Sequence, residues 1–225
     1  MIIAKCSLIT KTYRISGKII YALQNVSLDV NEGEFLGIVG PTGSGKTTLL
    51  NILGTFDSPT RGIVIINGVD VTRMNSAFGN SALSYLRRNF LGFVFQSFNL
   101  LPELTVKENL ILTMRIKVGE VKIKEIDELL AKVGLSERAD HFPFQLSSGE
   151  QQRVAIIRAL IGNPKLILAD EPTGNLDNET ARNIFSILKD LTVNNRVSVV
   201  VASHNPMINE FADRIIKLRN GRIVS

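Results

Sequence analysis

Eight consecutive residues restrict this chain more than any other feature. Gly40-Pro41-Thr42-Gly43-Ser44-Gly45-Lys46-Thr47 fits the spacing G-x-x-x-x-G-K-[ST], directly after the apolar run Phe35–Val39 and directly before a helical pattern over Thr47–Leu53. A glycine-rich turn between a buried strand and a helix N-terminus aims main-chain N–H groups at one point, where the helix dipole adds positive potential. Lys46 brings a cation to β- and γ-phosphates, Thr47 offers a hydroxyl to Mg2+, and Thr48 follows in the same turn. The octapeptide and its flanks predict a nucleoside triphosphate site on an α/β core. They leave the reaction open.

The rest of the chain has the texture such a core requires. Ile2–Thr10, Val26–Val30, Gly62–Asn67 and Gly92–Phe95 read as extended, and from about Pro102 to Pro164 the pattern turns helical, with Ile123, Ile126, Leu129, Leu130 and Val133 at three- and four-residue spacing. Beyond it, Leu166–Ala169 and Val197–Ala202 are apolar strands, and Ile184, Ile187, Leu188 and Leu191 line one face of a helix between them. Strands buried on both faces and separated by helices predict the mainly parallel sheet of a P-loop NTPase. The leading segments add an antiparallel β portion near the N-terminus. The expected organisation is a nucleotide-binding core in 1–96 and 164–225, interrupted by a helical subdomain in 97–163.

Composition removes other classes. At 225 residues and 44% apolar content the chain can form one core with a subdomain, but no apolar run approaches the roughly 18 residues of a membrane span. Met1–Cys6 is not followed by the apolar stretch of a secretory signal, so an intracellular protein is expected. One cysteine and two histidines exclude an internal disulfide and a structural zinc site. The formal charge of +5 is spread over pairs such as Arg87-Arg88, and no nucleic-acid partner is expected.

A second site lies at the end of Leu166-Ile-Leu-Ala-Asp170-Glu171, an apolar strand that delivers two carboxylates to the edge where open α/β sheets bind ligands. Asp170 can hold Mg2+ through water. Glu171, one residue on, can take the proton of an attacking water.

Between these sites, Leu146-Ser147-Ser148-Gly149-Glu150-Gln151-Gln152-Arg153 opens a helical run, Gln96 follows Gly92–Phe95, Pro172-Thr-Gly-Asn-Leu-Asp177 follows the acids, and His204 follows Val197–Ala202. With these motifs in this order, the chain resembles the nucleotide-binding subunit of ATP-binding cassette (ABC) transporters over essentially its whole length. Gly92–Pro102 and Ala169–Asp177 are similar to the branch serving lipoprotein release and macrolide export. The resemblance implies a head-to-tail dimer of two copies that clamps two ATP molecules, each between the phosphate loop of one copy and the signature of the other. Ser147 and Gly149 would grip the γ-phosphate of the partner's ATP at a helix N-terminus. Tyr13 would stack on adenine, Gln96 would contact Mg2+ and the lytic water, His204 would bridge the γ-phosphate and the partner, and Asp177 would organise the dimer seam or cap the next helix. His141 is read as structural.

Two residues depart from the family pattern. Ser148 stands for the first glycine, where a side chain limits positive φ. Glu150 stands for glutamine among the nucleotide-contacting positions, and Ser147-x-x-Glu150 is also a capping box that would turn the carboxylate onto its own helix. The resemblance further implies integral membrane permease subunits as partners, docked around Phe98–Pro102, and a cytoplasmic position on the inner face of the membrane. ATP hydrolysis driving export or lipoprotein release is the leading reading. A mechanical ATPase that signals through a membrane partner stays open beside it, whereas a DNA-repair ATPase would need a coiled coil for which there is no room.

Overall fold

A computed structural model of the chain describes residues 1–77 and 79–224. In chain order its elements are β1 (Ile2–Ile15), β2 (Lys18–Asn31), β3 (Phe35–Val39), α1 (Lys46–Leu53), β4 (Arg61–Ile66), β5 (Val69–Asp70), α2 (Val71–Ala77), α3 (Gly79–Phe90), β6 (Leu91–Val94), α4 (Val106–Lys117), α5 (Ile123–Lys132), α6 (Ser148–Leu160), β7 (Leu166–Asp170), α7 (Asn178–Asn195), β8 (Ser198–Ser203), β9 (Arg214–Arg219) and β10 (Arg222–Ile223). Short 3₁₀ turns stand at Ser136–Arg138, Pro143–Gln145 and Pro206–Glu210.

The first sheet is antiparallel, in the order β2-β1-β4-β5. Its first two strands reach further than the sequence pattern showed: the hairpin continues past Thr10 until Ile15 lies opposite Lys18. Ser16 and Gly17, at φ 49° and 77°, supply the two left-handed residues that a two-residue hairpin turn needs. Both faces of the tip are exposed, so its residues carry no in-out alternation to read.

The second sheet has the order β10-β9-β3-β8-β7-β6, with every pairing parallel except that of β10. Alternate residues of its strands enter different cores. Leu36, Ile38 and Val200 pack with α1 and the antiparallel sheet, through Leu49, Leu53, Val26 and Val64. Phe35, Val199 and Val201 pack on the other face against Ile156 of α6 and Ile184, Phe185 and Leu188 of α7. Burial on both sides is why β8 reads as a continuous apolar run.

Val106, Leu110, Met114, Ile126, Leu130, Val154 and Ile157 give α4, α5 and α6 a third cluster of their own. These helices occupy the stretch that reads as helical in sequence. The pair α2 and α3 escaped that reading, because glycine, asparagine and serine interrupt the segment. No described helix is long and apolar enough to cross a membrane.

Candidate functional site

Strand order brings the candidate residues together. Since β3, β8, β7 and β6 are neighbours and parallel, their carboxyl ends open along one edge of the sheet. The phosphate loop, His204, Asp170 with Glu171, and Gln96 follow those four ends in turn.

The loop is pressed against β9 and β2. A Cβ on Gly40 would lie 2.1 Å from the Leu218 carbonyl oxygen, and one on Gly45, whose φ is 106°, would lie 2.5 Å from that of Ala22. No side chain fits at either position. Pro41, Thr42 and Gly43 are exposed at the loop's crest, whereas the Ser44 hydroxyl is buried and finds no hydrogen-bond partner. An unsatisfied donor inside a nest of main-chain N–H groups suits a polyanion. Lys46 is only 6% exposed, and its ammonium donates to the carbonyls of Gly40 at 2.8 Å and Pro41 at 3.3 Å.

The acidic pair faces this loop from β7. Thr47 donates its hydroxyl to Asp170 Oδ1 at 3.2 Å, placing two hard oxygen donors side by side, as Mg2+ requires. Burial, reinforced by the charge of Glu171, pushes the Asp170 carboxyl above its ordinary value, while the Thr47 hydroxyl and the Lys46 charge pull the other way. Glu171 sits at φ 47°, a left-handed conformation that costs a non-glycine residue strain. In that conformation its N–H donates to Ala202 O at 2.9 Å, and its carboxylate lies between Lys46 and His204. Oε1 lies 3.3 Å from Lys46 Nζ, and Oε2 accepts from the His204 main-chain N–H at 3.1 Å and lies 2.9 Å from its Nδ1. Gln96 reaches over the next loop, where a Cβ on Gly174 would stand 3.2 Å from its Nε2.

A second group forms at the start of α6. Ser147 is the N-cap, its hydroxyl accepting from Glu150 N–H at 3.3 Å and donating to Glu150 Oε2 at 2.9 Å. Glu150 also takes the Arg138 guanidinium on Oε1 at 3.0 Å, so the carboxylate that sequence placed among the nucleotide contacts faces its own cap. Those hydrogen bonds hold its pKa below the usual carboxylate value. The expectation for Ser148 needs correction: Ser148 is the first residue of α6 and has no positive φ, so its side chain restricts nothing there. Gly149 is required for a different reason, since a Cβ would lie 2.6 Å from Thr180 Cγ2 on α7. Thr180 is held in turn by Asp177, the N-cap of α7, through its N–H at 2.9 Å and its hydroxyl at 2.6 Å. Ser147, Gly149, Glu150 and Asp177 are therefore one packed unit. His141, beside Arg138 at 3.3 Å, accepts from Val106 N–H through its carbonyl and stays outside the site.

Tyr13 stands at the rim. It pairs across the hairpin with Ile20, which with Tyr21 and Ala22 lines a cleft of about 390 Å³ beside the phosphate loop, Thr48, Gln96, Glu171 and His204. Its hydroxyl donates to Asp57 Oδ2 at 2.7 Å, and Lys11 Nζ lies 4.9 Å from the ring centroid while pairing with Asp57 Oδ1 at 2.5 Å. Asp57, Lys11, Ile20 and Tyr21 carry no motif, and only the three-dimensional pairing reveals them. A larger open cleft of about 830 Å³ adjoins His204 on the side of Thr173 and Met207, away from the phosphate loop.

Residues 23–174 match the family model for ABC transporters. The chain belongs to the ABC transporter family. MJ0796, an uncharacterized ABC transporter ATP-binding protein of Methanocaldococcus jannaschii, is 47% identical over 221 residues, covering 96% of this chain and 92% of that protein. The lipoprotein-releasing system ATP-binding protein LolD 1 of Rhodospirillum rubrum is 44% identical over 219 residues, covering 96% and 95%. The solved dimeric, post-hydrolysis structure of the ATP-binding cassette MJ0796 bound to ADP and Pi superposes with a TM-score of 0.90 at 43% identity, over 99% of this chain and 97% of that one. A nucleotide-free cassette from an ABC transporter superposes with a TM-score of 0.82 at 27% identity, over 100% and 90%. As an ABC transporter ATP-binding subunit the protein is an ATPase that uses ATP and Mg2+, and its two sheets and helices are those of the solved cassettes.

Proposed function

We propose that two copies of this subunit close head to tail around two ATP molecules and so drive permease subunits in the membrane. The observation that carries this reading is the arrangement of two separate anion-facing units on one chain. Lys46, Asp170, Glu171, His204 and Gln96 stand at four adjacent strand ends, whereas Ser147 stands exposed at the N-terminus of α6, hydrogen-bonded within its own turn. A nucleotide on the phosphate loop is completed by the α6 turn of a second copy. The dimeric MJ0796 structures support this assembly.

The geometry supports the following division of labour. The phosphate loop and Lys46 hold the β- and γ-phosphates, and Tyr13 offers its ring to the adenine at the cleft rim. Thr47, Asp170 and Gln96 would hold Mg2+, which would supply positive charge to the phosphate oxygens. Glu171 accepts the proton of the attacking water, oriented by the two hydrogen bonds to His204. Across the seam, Ser147 and the Gly149 N–H receive the partner's γ-phosphate, and Asp177 carries α7 to the interface. In this scheme the core spans 1–96 and 164–225, and the helical subdomain 97–163 faces the permease. Its place is cytoplasmic, peripheral on the inner face of the membrane.

The task we assign is export or lipoprotein release, supported by the 44% identity to LolD 1 and by the motifs Gly92–Pro102 and Ala169–Asp177. Turnover of Glu171→Gln with saturating ATP and Mg2+ tests the catalytic assignment. The expected result is a fall of about 10²–10⁴-fold with ATP still bound, and near-normal turnover would refute it. Co-purification of a permease with a large extracytoplasmic domain tests the task.

A further inference from the structure

The segment between Gln96 and α4 is held by an arginine from a distant part of the chain. Phe98 and Asn99 both lie in the left-handed region, at φ 59° and 52°, and present adjacent carbonyls to one guanidinium. Arg158, on the third turn of α6, donates through one terminal nitrogen to Phe98 O at 2.6 Å and through the other to Asn99 O. Asparagine adopts this region readily, but a bulky residue such as Phe98 is strained there and persists only where the surroundings hold it.

The guanidinium is half-buried, and among the described residues its hydrogen bonds go to carbonyls and no carboxylate pairs with it. Burial lowers its pKa, and its charge helps burial to bring neighbouring Lys117 down to about 8. The two carbonyls are thus the chief compensation for a desolvated cation, which makes the contact selective for this loop conformation. The far end of the segment is fastened separately: buried Asn109 of α4 accepts from Leu101 N–H at 2.8 Å and donates to the carbonyls of Leu101, Leu104 and Thr105. Between Arg158 and Asn109 the loop belongs mechanically to the helices, and Gln96 lies just outside the fastened stretch.

The same helix that carries Arg158 is capped by Ser147, roughly 16 Å away at 1.5 Å per residue. We infer that Arg158 is a positioning residue that ties the Gln96 loop to the signature helix, so that the cis and trans nucleotide contacts move as one body when the dimer closes. A rigid helix with a fastened loop is a physical link of the kind that coupling between sites requires. This inference rests on the proposed ATP sandwich. Without the latch, Gln96 can engage nucleotide while Ser147 and Gly149 are out of place.

The test adds Arg158→Met and, separately, Arg158→Lys to full-length Glu171→Gln. Lysine retains the charge and can satisfy one carbonyl, so it reports if the methionine variant does not fold. ADP affinity by calorimetry is expected to stay within about twofold of the parent, because ADP uses only the cis contacts. The protein concentration for half-dimerisation in ATP, from light scattering, is expected to rise about tenfold in Arg158→Met and less in Arg158→Lys. Amide hydrogen exchange should quicken at residues 97–102 and stay slow in β7 and β8. Unchanged dimerisation in Arg158→Met, or in Arg158→Lys should the former not fold, overturns the inference. So does lost dimerisation accompanied by faster exchange throughout the core, which marks general destabilisation. If the Glu171→Gln parent itself fails to dimerise in ATP, the sandwich reading falls and takes the latch with it.

Discussion

Replacing Gly149 by alanine puts the packing of the signature helix on α7 under direct test. The new Cβ would stand 2.6 Å from Thr180 Cγ2, well inside the distance at which carbon atoms pack. Thr180 is not free to rotate away, because its hydroxyl is bound to Asp177 Oδ2 at 2.6 Å and turning it would break that hydrogen bond to the residue that caps α7. The alternative is a small separation of α6 from α7, and overpacking of this kind costs about 1–3 kcal/mol. Alanine's higher helix propensity offsets at most about 1 kcal/mol. The net loss expected is about 1–2 kcal/mol, or roughly 2–8 °C in Tm for a domain of this size. Thermal unfolding followed by circular dichroism measures it, and Thr180→Ala supplies the control by removing the clashing methyl. In that background Gly149→Ala should become nearly neutral, a coupling of about 1 kcal/mol or more in the double-mutant cycle. Strict additivity, or a neutral Gly149→Ala alone, would refute the packing account of this glycine.

Ser148→Gly should lower Tm slightly, with a glycine cost of at most about 1 kcal/mol in a helix, and leave ATP-driven dimerisation no tighter; a stronger dimer by light scattering contradicts the helical assignment. Glu150→Gln loses the charged cap and the Arg138 pair, about 0.3–1 kcal/mol of dipole stabilisation, and a dimer tightened more than about tenfold would mean that the carboxylate faces the nucleotide. Asp57→Asn retains an acceptor for the Tyr13 hydroxyl and should bind ATP almost normally, whereas Asp57→Ala should raise KM several-fold with kcat nearly unchanged; equal KM values for the two variants would remove Asp57 from the support of Tyr13. Cys6 is buried, and desolvation pushes its thiol from an ordinary 9.0 to about 12. A raised folded pKa means that stability present below pH 9 is lost between pH 9 and about 12, and that a thiol reagent at pH 8 labels the unfolded chain only. Rapid labelling of the native protein contradicts this burial.

What the sequence discloses is what repeats a physical pattern locally. The phosphate loop and the strand that precedes it could be read because glycine spacing and a buried run are local, and the Ser147-x-x-Glu150 box because capping spans only one turn. Asp170 and Glu171 could be read from an apolar strand ending in acid. The partners of these residues could not. Asp57 meets Tyr13 across 44 positions and Arg158 meets Phe98 across 60, with no periodicity to betray either contact. The role of Gly149 was assigned to phosphate alone, although its packing on Thr180 depends on the approach of two helices. The positive φ expected at Ser148 is not adopted, because Ser148 is the first residue of α6. The Ser16-Gly17 turn is a local signal that extends the hairpin to its tip, and the Thr105-x-x-Glu108 box that opens α4 is another.

The central claim is that a γ-phosphate joins two copies of this chain, gripped on one side by Lys46 and on the other by Ser147 and Gly149 of the second copy. Light scattering on Glu171→Gln, at matched protein concentration with Mg2+ and either ATP or ADP, measures it most directly. The account predicts twice the monomer mass, about 50 kDa from a chain of 24.8 kDa, in ATP and the monomer mass in ADP. Equal masses in the two nucleotides would contradict it.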